Sequence, residues 1–212
     1  MCNIFKRANI KNIIFDLGNV LLDIDYNKTI EAFEELGFKN FRSNYSPYKM
    51  DVLFKNLETG KISEEVFYKS IKAISDTPLS TVQIQTAWNA LFLDFRIESL
   101  AFLQQISSKY KLYLLSNTNS IHLTAFNEIF KKNIGEIGLD SYFVKAYYSN
   151  IIGLRKPEKK VYSFVLNDAN IIAAETLFID DLANNIEGAK AVGIITHHLV
   201  PGERIEQLHL IQ

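Results

Sequence analysis

The stretch Asn12-Ile-Ile-Phe-Asp-Leu-Gly-Asn-Val-Leu-Leu-Asp-Ile-Asp25 decides the interpretation of the whole chain. Its run Ile13–Phe15 is apolar on both faces and too short for a helix, which predicts a fully buried parallel strand. Asp16 follows at once, at the carboxyl end where open α/β sheets place their ligand sites. Gly18 permits unusual backbone angles and close approach of the main chain to a ligand. Taken alone, the stretch fits a catalytic carboxylate and an ordinary strand-end turn equally well.

The composition indicates a globular protein with a substantial core. The 212 residues are 48% hydrophobic and 22% charged, and the formal net charge of −1 gives no electrostatic reason to expect nucleic-acid or anionic-membrane binding. Cys2 is the only cysteine, which excludes an intramolecular disulfide and a cysteine-based zinc site. No apolar stretch approaches the length of a membrane span and no signal-like run opens the chain, so we expect a cytoplasmic protein.

Four successive helices are predicted after the first strand. Their apolar residues recur at helical spacing, Ser63 precedes the third as its N-cap, and Ser80 begins the fourth. Gly37 and Gly60 follow the first two as stops. The fourth helix is expected to run through Phe92, and no strand is apparent among the four. We therefore interpret residues 26–93 as an inserted helical cap domain, with residues 1–25 and 94–212 forming the core domain.

Strands and helices alternate beyond residue 94, which predicts a doubly wound, Rossmann-like α/β core around a parallel sheet. The predicted strands are 111–118, 143–148, 176–181 and 194–197, and the helices are 97–110, 120–130, 157–167 (with Pro157 at its start) and 183–191.

Polar residues end three of the predicted strands: Asp16, then Ser116 and Asn117, then the pair Asp180–Asp181. In a parallel sheet these residues meet at one edge, where crowded carboxylates raise one another's pKa. Mg²⁺ resolves that conflict, because it takes carboxylates, a carbonyl, waters and a substrate phosphate as ligands. Lys156, just before a predicted helix, is suited to neutralise a phosphoryl group. Each residue alone has an ordinary interpretation as a turn, a cap or a solvated lysine, but the ordered set indicates phosphate chemistry.

The chain resembles the haloacid dehalogenase superfamily of phosphohydrolases over nearly its whole length. Four segments carry the resemblance, namely 15–20, 115–118, 153–158 and 178–189. The helical insert is similar to the four-helix cap that this family places after its first motif. Within the family, the pattern is nearest to bacterial α-glucose-1-phosphatase-like sugar phosphatases, which share the sequence Asp-Leu-Gly-Asn-Val.

The resemblance implies a Mg²⁺-dependent phosphatase acting on a small phosphorylated metabolite, in the nearest pattern a sugar phosphate. The reaction would pass through an aspartyl-phosphate on Asp16, since catalysis of phosphoryl transfer depends largely on positioning and charge stabilisation. The implied roles are Mg²⁺ binding by Asp16, Asp181 and the Gly18 carbonyl, phosphate binding by Ser116, Asn117 and the catalytic Lys156, and support of the metal by Asp180 and Asn185.

Gly18 departs from the common first motif, which has a second aspartate at this position as general acid and base. Such a group typically contributes about 10²–10⁴-fold. One explanation is a leaving group that departs easily, such as the anomeric oxygen of a sugar 1-phosphate. Another is a different proton donor, with Asp23, Asp25 and a substrate-ordered water as candidates, although Asp25 fits an N-cap and Asp23 a polar surface equally well. The third is a weakly active or inactive protein with a binding or regulatory role.

A dehalogenase of the same superfamily is a less favoured alternative. It would require an arginine near the first motif to bind the halide, and no arginine follows Asp16 before Arg42. His122 follows the second motif closely; we expect it on an ordinary helix surface, with substrate contact as the alternative.

Overall fold

A five-stranded parallel sheet forms the centre of the protein. The structure, a computed structural model, describes residues 9–38, 41, 52–208 and 210. The strands in this sheet are β1 (Asn12–Phe15), β4 (Lys111–Ser116), β5 (Lys145–Tyr148), β6 (Thr176–Asp180) and β7 (Ile195–His198), and two further short strands are β2 (Leu22–Ile24) and β3 (Phe92–Phe95). The order β5-β4-β1-β6-β7 is parallel throughout. The predicted doubly wound α/β core is confirmed.

β1 is the middle strand, and all four of its residues are buried. Its two faces meet separate apolar layers, because successive strand residues point to opposite sides. Phe15 packs in one layer with Leu103 and Phe130, and Ile14 packs in the other with Phe178. β1 is apolar on both faces because each face packs against an apolar layer, and this pattern predicted a buried parallel strand.

Nine α-helices are present among the described residues. They are α1 (Tyr26–Glu35), α2 (Val52–Glu58), α3 (Glu64–Ala73), α4 (Thr81–Asn89), α5 (Ile97–Ile106), α6 (Ser120–Asn133), α7 (Ser149–Ile152), α8 (Lys159–Asp168) and α9 (Ala183–Lys190). Within the described ranges, no helix combines the length and the apolar character that crossing a membrane requires.

Helices α1 to α4 pack around Trp88, whose ring stacks on Phe54 at 5.2 Å and contacts Phe33 and Phe67. Ser63 caps α3 by accepting a hydrogen bond from the Val66 amide, and Ser80 forms a capping box with Gln83 at the start of α4. The stops are also as predicted: the glycines after α1 and α2 adopt positive φ angles of 97° and 65°. The division into domains at residues 25/26 and 93/94 stays a prediction.

The fourth of these helices is shorter than predicted. It ends at Asn89, and Phe92 begins strand β3, which pairs antiparallel with β2. The apolar residues Leu91, Phe92 and Phe95 fit helical spacing, but the pairing partner of β3 lies about 70 residues earlier in the chain. The resulting ribbon joins the places where the chain leaves and re-enters the core. The helix expected from Pro157 likewise begins only at Lys159.

Candidate active site

Three aspartates meet at the carboxyl edge of the sheet, as the strand ends predicted. Asp16 follows β1, and its amide continues the sheet by donating to the Ile179 carbonyl at 2.9 Å. Asp180 is the last residue of β6, beside β1, and Asp181 follows it. One oxygen from each of the three carboxylates lies within 4.8 Å of the other two. The parallel register of neighbouring strands therefore concentrates negative charge at one point.

Lys156 lies among these carboxylates, although it is 140 residues from Asp16 in the chain. Its Nζ donates to Asp16 Oδ1 at 2.5 Å and to Asp180 Oδ2 at 2.7 Å, and the residue is only 1% exposed. Burial by itself lowers the pKa of Lys156, but the charges of Asp16 and Asp180 outweigh it and raise the pKa above its ordinary value. A buried ammonium group is thus held charged between two carboxylates.

Asp16 is the most perturbed acid of the group. Burial raises its pKa to about 8; Asp180 and Asp181 act in the same direction, and Lys156 opposes them. The pKa of Asp181 is also raised, first by burial and then by the charge of Asp180. One ammonium faces three carboxylates here, so the cluster favours a further cation or protons.

Asp180 is held rigidly by its neighbours. The Asn185 side-chain amide donates to both of its carboxylate oxygens at 3.0 Å, and the Leu182 amide donates to Oδ1 at 2.8 Å. The Asn185 carbonyl in turn accepts from the Tyr162 hydroxyl at 2.7 Å. Neither asparagine at the start of α9 is its N-cap, which is Leu182. Asn185 thus positions the Asp180 carboxylate, and support of a metal ion by these two residues stays a prediction.

Asn117 lies beside Lys156, but its side chain bonds protein atoms. Its Oδ1 accepts from the Lys156 amide and its Nδ2 donates to the Lys156 carbonyl, both at 2.9 Å. This reciprocal pair fixes the backbone of the lysine loop against the end of β4. Ser116 ends β4, is buried, and its hydroxyl has no hydrogen-bond partner among the described residues. Phosphate binding by Ser116 and Asn117 stays a prediction.

The turn after Asp16 differs from the expected one. Asn19 (φ 54°), and not Gly18, has the positive φ angle. The Asn19 amide group donates to Asp181 at 3.1 Å, and its Oδ1 accepts from the Ile24 amide at 3.2 Å. A Cβ atom at Gly18 would lie 2.7 Å from Ile24 Cδ1, so Ile24 fills the space that a side chain at this position needs. Sequence reasoning missed Asn19, although asparagine is among the residues that best tolerate this conformation.

Both aspartates suggested as substitute acids form hydrogen bonds with other protein groups. Asp23 accepts hydrogen bonds from Arg96 Nε at 2.7 Å and from Arg204 at 3.3 Å. Asp25 caps α1 by accepting from the Asn27 amide at 2.9 Å. Arg42, named in the dehalogenase alternative, lies outside the described residues.

His122 is buried, and its expected place on a helix surface is wrong. Its ring stacks on Trp88 at 4.8 Å, and burial lowers its pKa to about 4. His198 supports the site from β7, with Nε2 at 2.9 Å from the Asp181 carbonyl.

The residues present fit a magnesium ion. Three carboxylates close to one another, two of them with raised pKa values, form the hard oxygen donor set that Mg²⁺ prefers. The supporting hydrogen bonds from Asn19 and Asn185 orient two of these carboxylates, as outer partners do around metal sites. A ligand role for the Gly18 carbonyl stays a prediction.

The chain is similar to known hydrolases over most of its length. The family profile for haloacid dehalogenase-like hydrolases matches residues 10–193. The chain belongs to this family. This haloacid dehalogenase-like hydrolase is 34% identical over 188 residues to the D-ribitol-5-phosphate phosphatase of Bacteroides thetaiotaomicron, covering 88% of its own length and 90% of that protein. It is also 27% identical over 202 residues to a sesquiterpene phosphatase of Aspergillus oryzae, covering 94% and 92% of the two chains.

A solved structure shares the fold of this hydrolase closely. It is an aspartate-to-alanine variant of a haloacid dehalogenase family enzyme from B. thetaiotaomicron, in complex with magnesium and inorganic phosphate. The TM-score is 0.88 and the identity 34%, covering 94% of this chain and 98% of the other. The family resemblance and the α/β architecture inferred from the sequence are thereby confirmed.

Proposed function

We propose that this hydrolase is a Mg²⁺-dependent phosphatase that cleaves phosphate monoesters of small metabolites through an aspartyl-phosphate on Asp16. The observation that carries the proposal is the buried cluster in which Lys156 lies between Asp16 and Asp180, next to Asp181. Two related proteins are named as phosphatases, and a solved relative binds magnesium and inorganic phosphate. These relatives do not favour the alternative of an inactive binding protein.

Asp16 supplies the nucleophile in this mechanism. A carboxylate oxygen attacks phosphorus, the bond from phosphorus to the ester oxygen breaks, and the ester oxygen takes up a proton from a water molecule as the alcohol leaves. Water then attacks phosphorus, and the bond to Asp16 breaks to release inorganic phosphate and restore the carboxylate. Bound Mg²⁺ would be held by Asp16 and Asp181 and would offset negative charge on the phosphoryl oxygens.

Lys156 has two tasks in the same mechanism. Its two hydrogen bonds fix the direction of the Asp16 carboxylate, and its charge stabilises negative charge on a nearby phosphoryl group. Because position 18 has no side chain and Asp23 and Asp25 are bonded elsewhere, protonation of the leaving group has no aspartate donor at these three positions. The reaction is therefore expected to favour leaving groups of low basicity among substrates that bind equally well.

Phosphate release from a panel of small phosphate monoesters, with and without Mg²⁺, tests the proposal. Asp16→Asn is expected to lower turnover on the order of a thousandfold or more, because it removes the nucleophile. Asp76→Asn, at an exposed aspartate of the loop before α4, is the matched control and should retain wild-type turnover. Turnover that survives Asp16→Asn, or that needs no divalent cation, would overturn the mechanism.

A cytoplasmic location is part of the same proposal. Its support is the composition of the chain, with its single cysteine, and the small phosphorylated metabolites that are its expected substrates.

A further inference from the structure

A small cavity, about 50 Å³, lies between the carboxyl edge of the sheet and the helices of residues 26–89. Gly18, Ser116 and Thr118 form its wall on the sheet side, and Tyr26 and Glu58 contribute from the helices. We call this space the leaving-group cavity. Because its wall includes the residues next to Asp16 and at the end of β4, a phosphate ester bound at the strand ends would extend its alcohol portion into it.

Glu58, the last residue of α2, brings a carboxylate to this cavity. Its Oε2 accepts from Arg155 Nε at 2.9 Å, and both side chains are 14% exposed. Its Oε1 makes no hydrogen bond with a described residue. The buried side-chain atoms that lack a partner do not include it, so this oxygen is not fully buried. Oε1 is therefore accessible. Burial raises the pKa of Glu58 above its ordinary value, although the charges of Arg155 and Lys156 act in the opposite direction.

His122 provides a second acceptor on the cavity wall. Its Nε2 lies 3.0 Å from the Trp88 carbonyl, which only accepts, so Nε2 carries the proton and Nδ1 has a free lone pair. Stacking on Trp88 and the edge contact with Phe92 at 5.0 Å hold the ring in place. Nδ1 makes no hydrogen bond with a described residue, and it too is not fully buried. His122 thus presents a fixed, neutral acceptor.

We propose that Glu58 and His122 accept hydrogen bonds from hydroxyl groups of the leaving group, so that the substrate is the phosphate ester of a polyhydroxylated chain or ring. The inference rests on the proposed phosphatase function and names its substrate class. Two unpaired acceptors in one cavity require donors, and hydroxyl groups supply them. An alkyl or terpenyl group would cover Oε1 and Nδ1 without replacing the water they lose, which is unfavourable.

The substrate preference of the wild-type protein tests this inference without a substitution. The measurement is kcat/KM for a pentitol phosphate, for 1-pentyl phosphate of the same chain length, and for a prenyl phosphate. Sites that bind substrate hydroxyls reject analogues lacking them by up to about 10⁴–10⁵-fold, so we expect the pentitol ester to be preferred at least about a hundredfold. A preference for the pentitol ester below about a hundredfold, or a preference for either apolar ester, would overturn the inference while leaving the phosphatase function intact.

Two substitutions assign the preference to the named side chains. Glu58→Gln and His122→Phe are each expected to lower the ratio of kcat/KM values, pentitol over pentyl ester, about tenfold or more, since each weakens or removes an acceptor. Glu31→Gln, on the exposed face of α1, is the matched control and should keep the wild-type ratio. A ratio unchanged in both variants would refute the roles of Glu58 and His122. Absence of phosphate release from every ester would overturn the proposed function and the inference together.

Discussion

Lys156 determines whether the carboxylates at the sheet edge can remain charged and close together. It is 1% exposed and bonds both Asp16 and Asp180. Lys156→Met removes the ammonium and leaves the buried Asp180 carboxylate without its ion-pair partner, which we expect to cost about 3–5 kcal/mol of unfolding free energy at neutral pH without metal. Urea denaturation of the two proteins measures this difference in unfolding free energy. Lys160→Met, at an exposed position four residues later on α8, should change the same quantity by less than about 0.5 kcal/mol.

The raised pKa of Asp16 makes magnesium binding depend on pH. Because burial raises this pKa to about 8, protons compete with the metal at neutral pH. We expect the dissociation constant for Mg²⁺ to fall by up to about tenfold per pH unit between about pH 6 and 8, with proton release, as calorimetry in buffers of different ionisation enthalpy would show. A constant that does not change over this interval would contradict the assignment of Asp16 as a metal ligand.

The same shift has the opposite effect on the stability of the metal-free protein. The folded state binds the Asp16 proton more tightly than the unfolded state does, since the folded pKa is above the ordinary value of 3.8. The contribution of this group to stability is therefore complete below that ordinary value and is lost as the pH rises toward about 8. Mg²⁺ should oppose this loss, because it binds the deprotonated carboxylate.

Gly18 is constrained by Ile24 as well as by its chemistry. Gly18→Ala would place a Cβ 2.7 Å from Ile24 Cδ1, and we expect a loss of about 1 kcal/mol of unfolding free energy. Ile24→Val removes the contacting methyl group, so the alanine substitution should cost at least about 0.5 kcal/mol less in that background. Additive losses in a double-mutant cycle of urea denaturation would show that this contact does not determine the residue at position 18.

At the scale of elements, the N-terminus of α6 connects the strand ends to the helices of residues 26–89. Asn119 is the N-cap of α6, accepting from the His122 amide at 3.0 Å, and it also accepts from Trp88 Nε1 at 3.4 Å. The buried Asn119 Oδ1 therefore accepts hydrogen bonds from both α4 and α6.

Asn119→Ala should consequently cost more than loss of an ordinary cap. We expect about 2 kcal/mol of unfolding free energy, because the hydrogen bond from the buried Trp88 indole is lost in addition to the cap. Ser63→Ala removes only the cap of α3, in which Ser63 accepts from Val66 at 3.3 Å, and should cost about 1 kcal/mol or less. Equal losses in the two variants would show that the Trp88 contact contributes nothing measurable.

The sequence predicted elements well where local signals decide them. β1 follows from an apolar run, α3 begins after its predicted serine cap, and α4 begins one residue after the predicted start at Ser80. β3 was missed because its pairing with β2 is a long-range contact, and its apolar residues equally fit a helix. The start of α8 was placed two residues early, since the proline there precedes the helix instead of opening it.

At the scale of the whole molecule, the site was predictable because a parallel sheet brings strand ends together. Asp16, Ser116 and Asp180 lie far apart in the chain, yet the order of the strands places them on one edge. Residues that reach the site from helices, and not from strand ends, were missed or misplaced. Glu58 reaches the site through the packing of α2, where it pairs with Arg155, and His122 is buried against Trp88 and Phe92.

Direct detection of the phosphoryl-enzyme tests the central claim most sharply. The protein with Mg²⁺ is mixed with a substrate that it turns over, quenched in acid during turnover, digested and analysed by mass spectrometry. We predict the added mass of one phosphoryl group on the peptide containing Asp16, and none in Asp16→Asn. A phosphoryl group on any other residue, or steady turnover with an unmodified Asp16 peptide at every quench time, would contradict the assignment of Asp16 as the nucleophile.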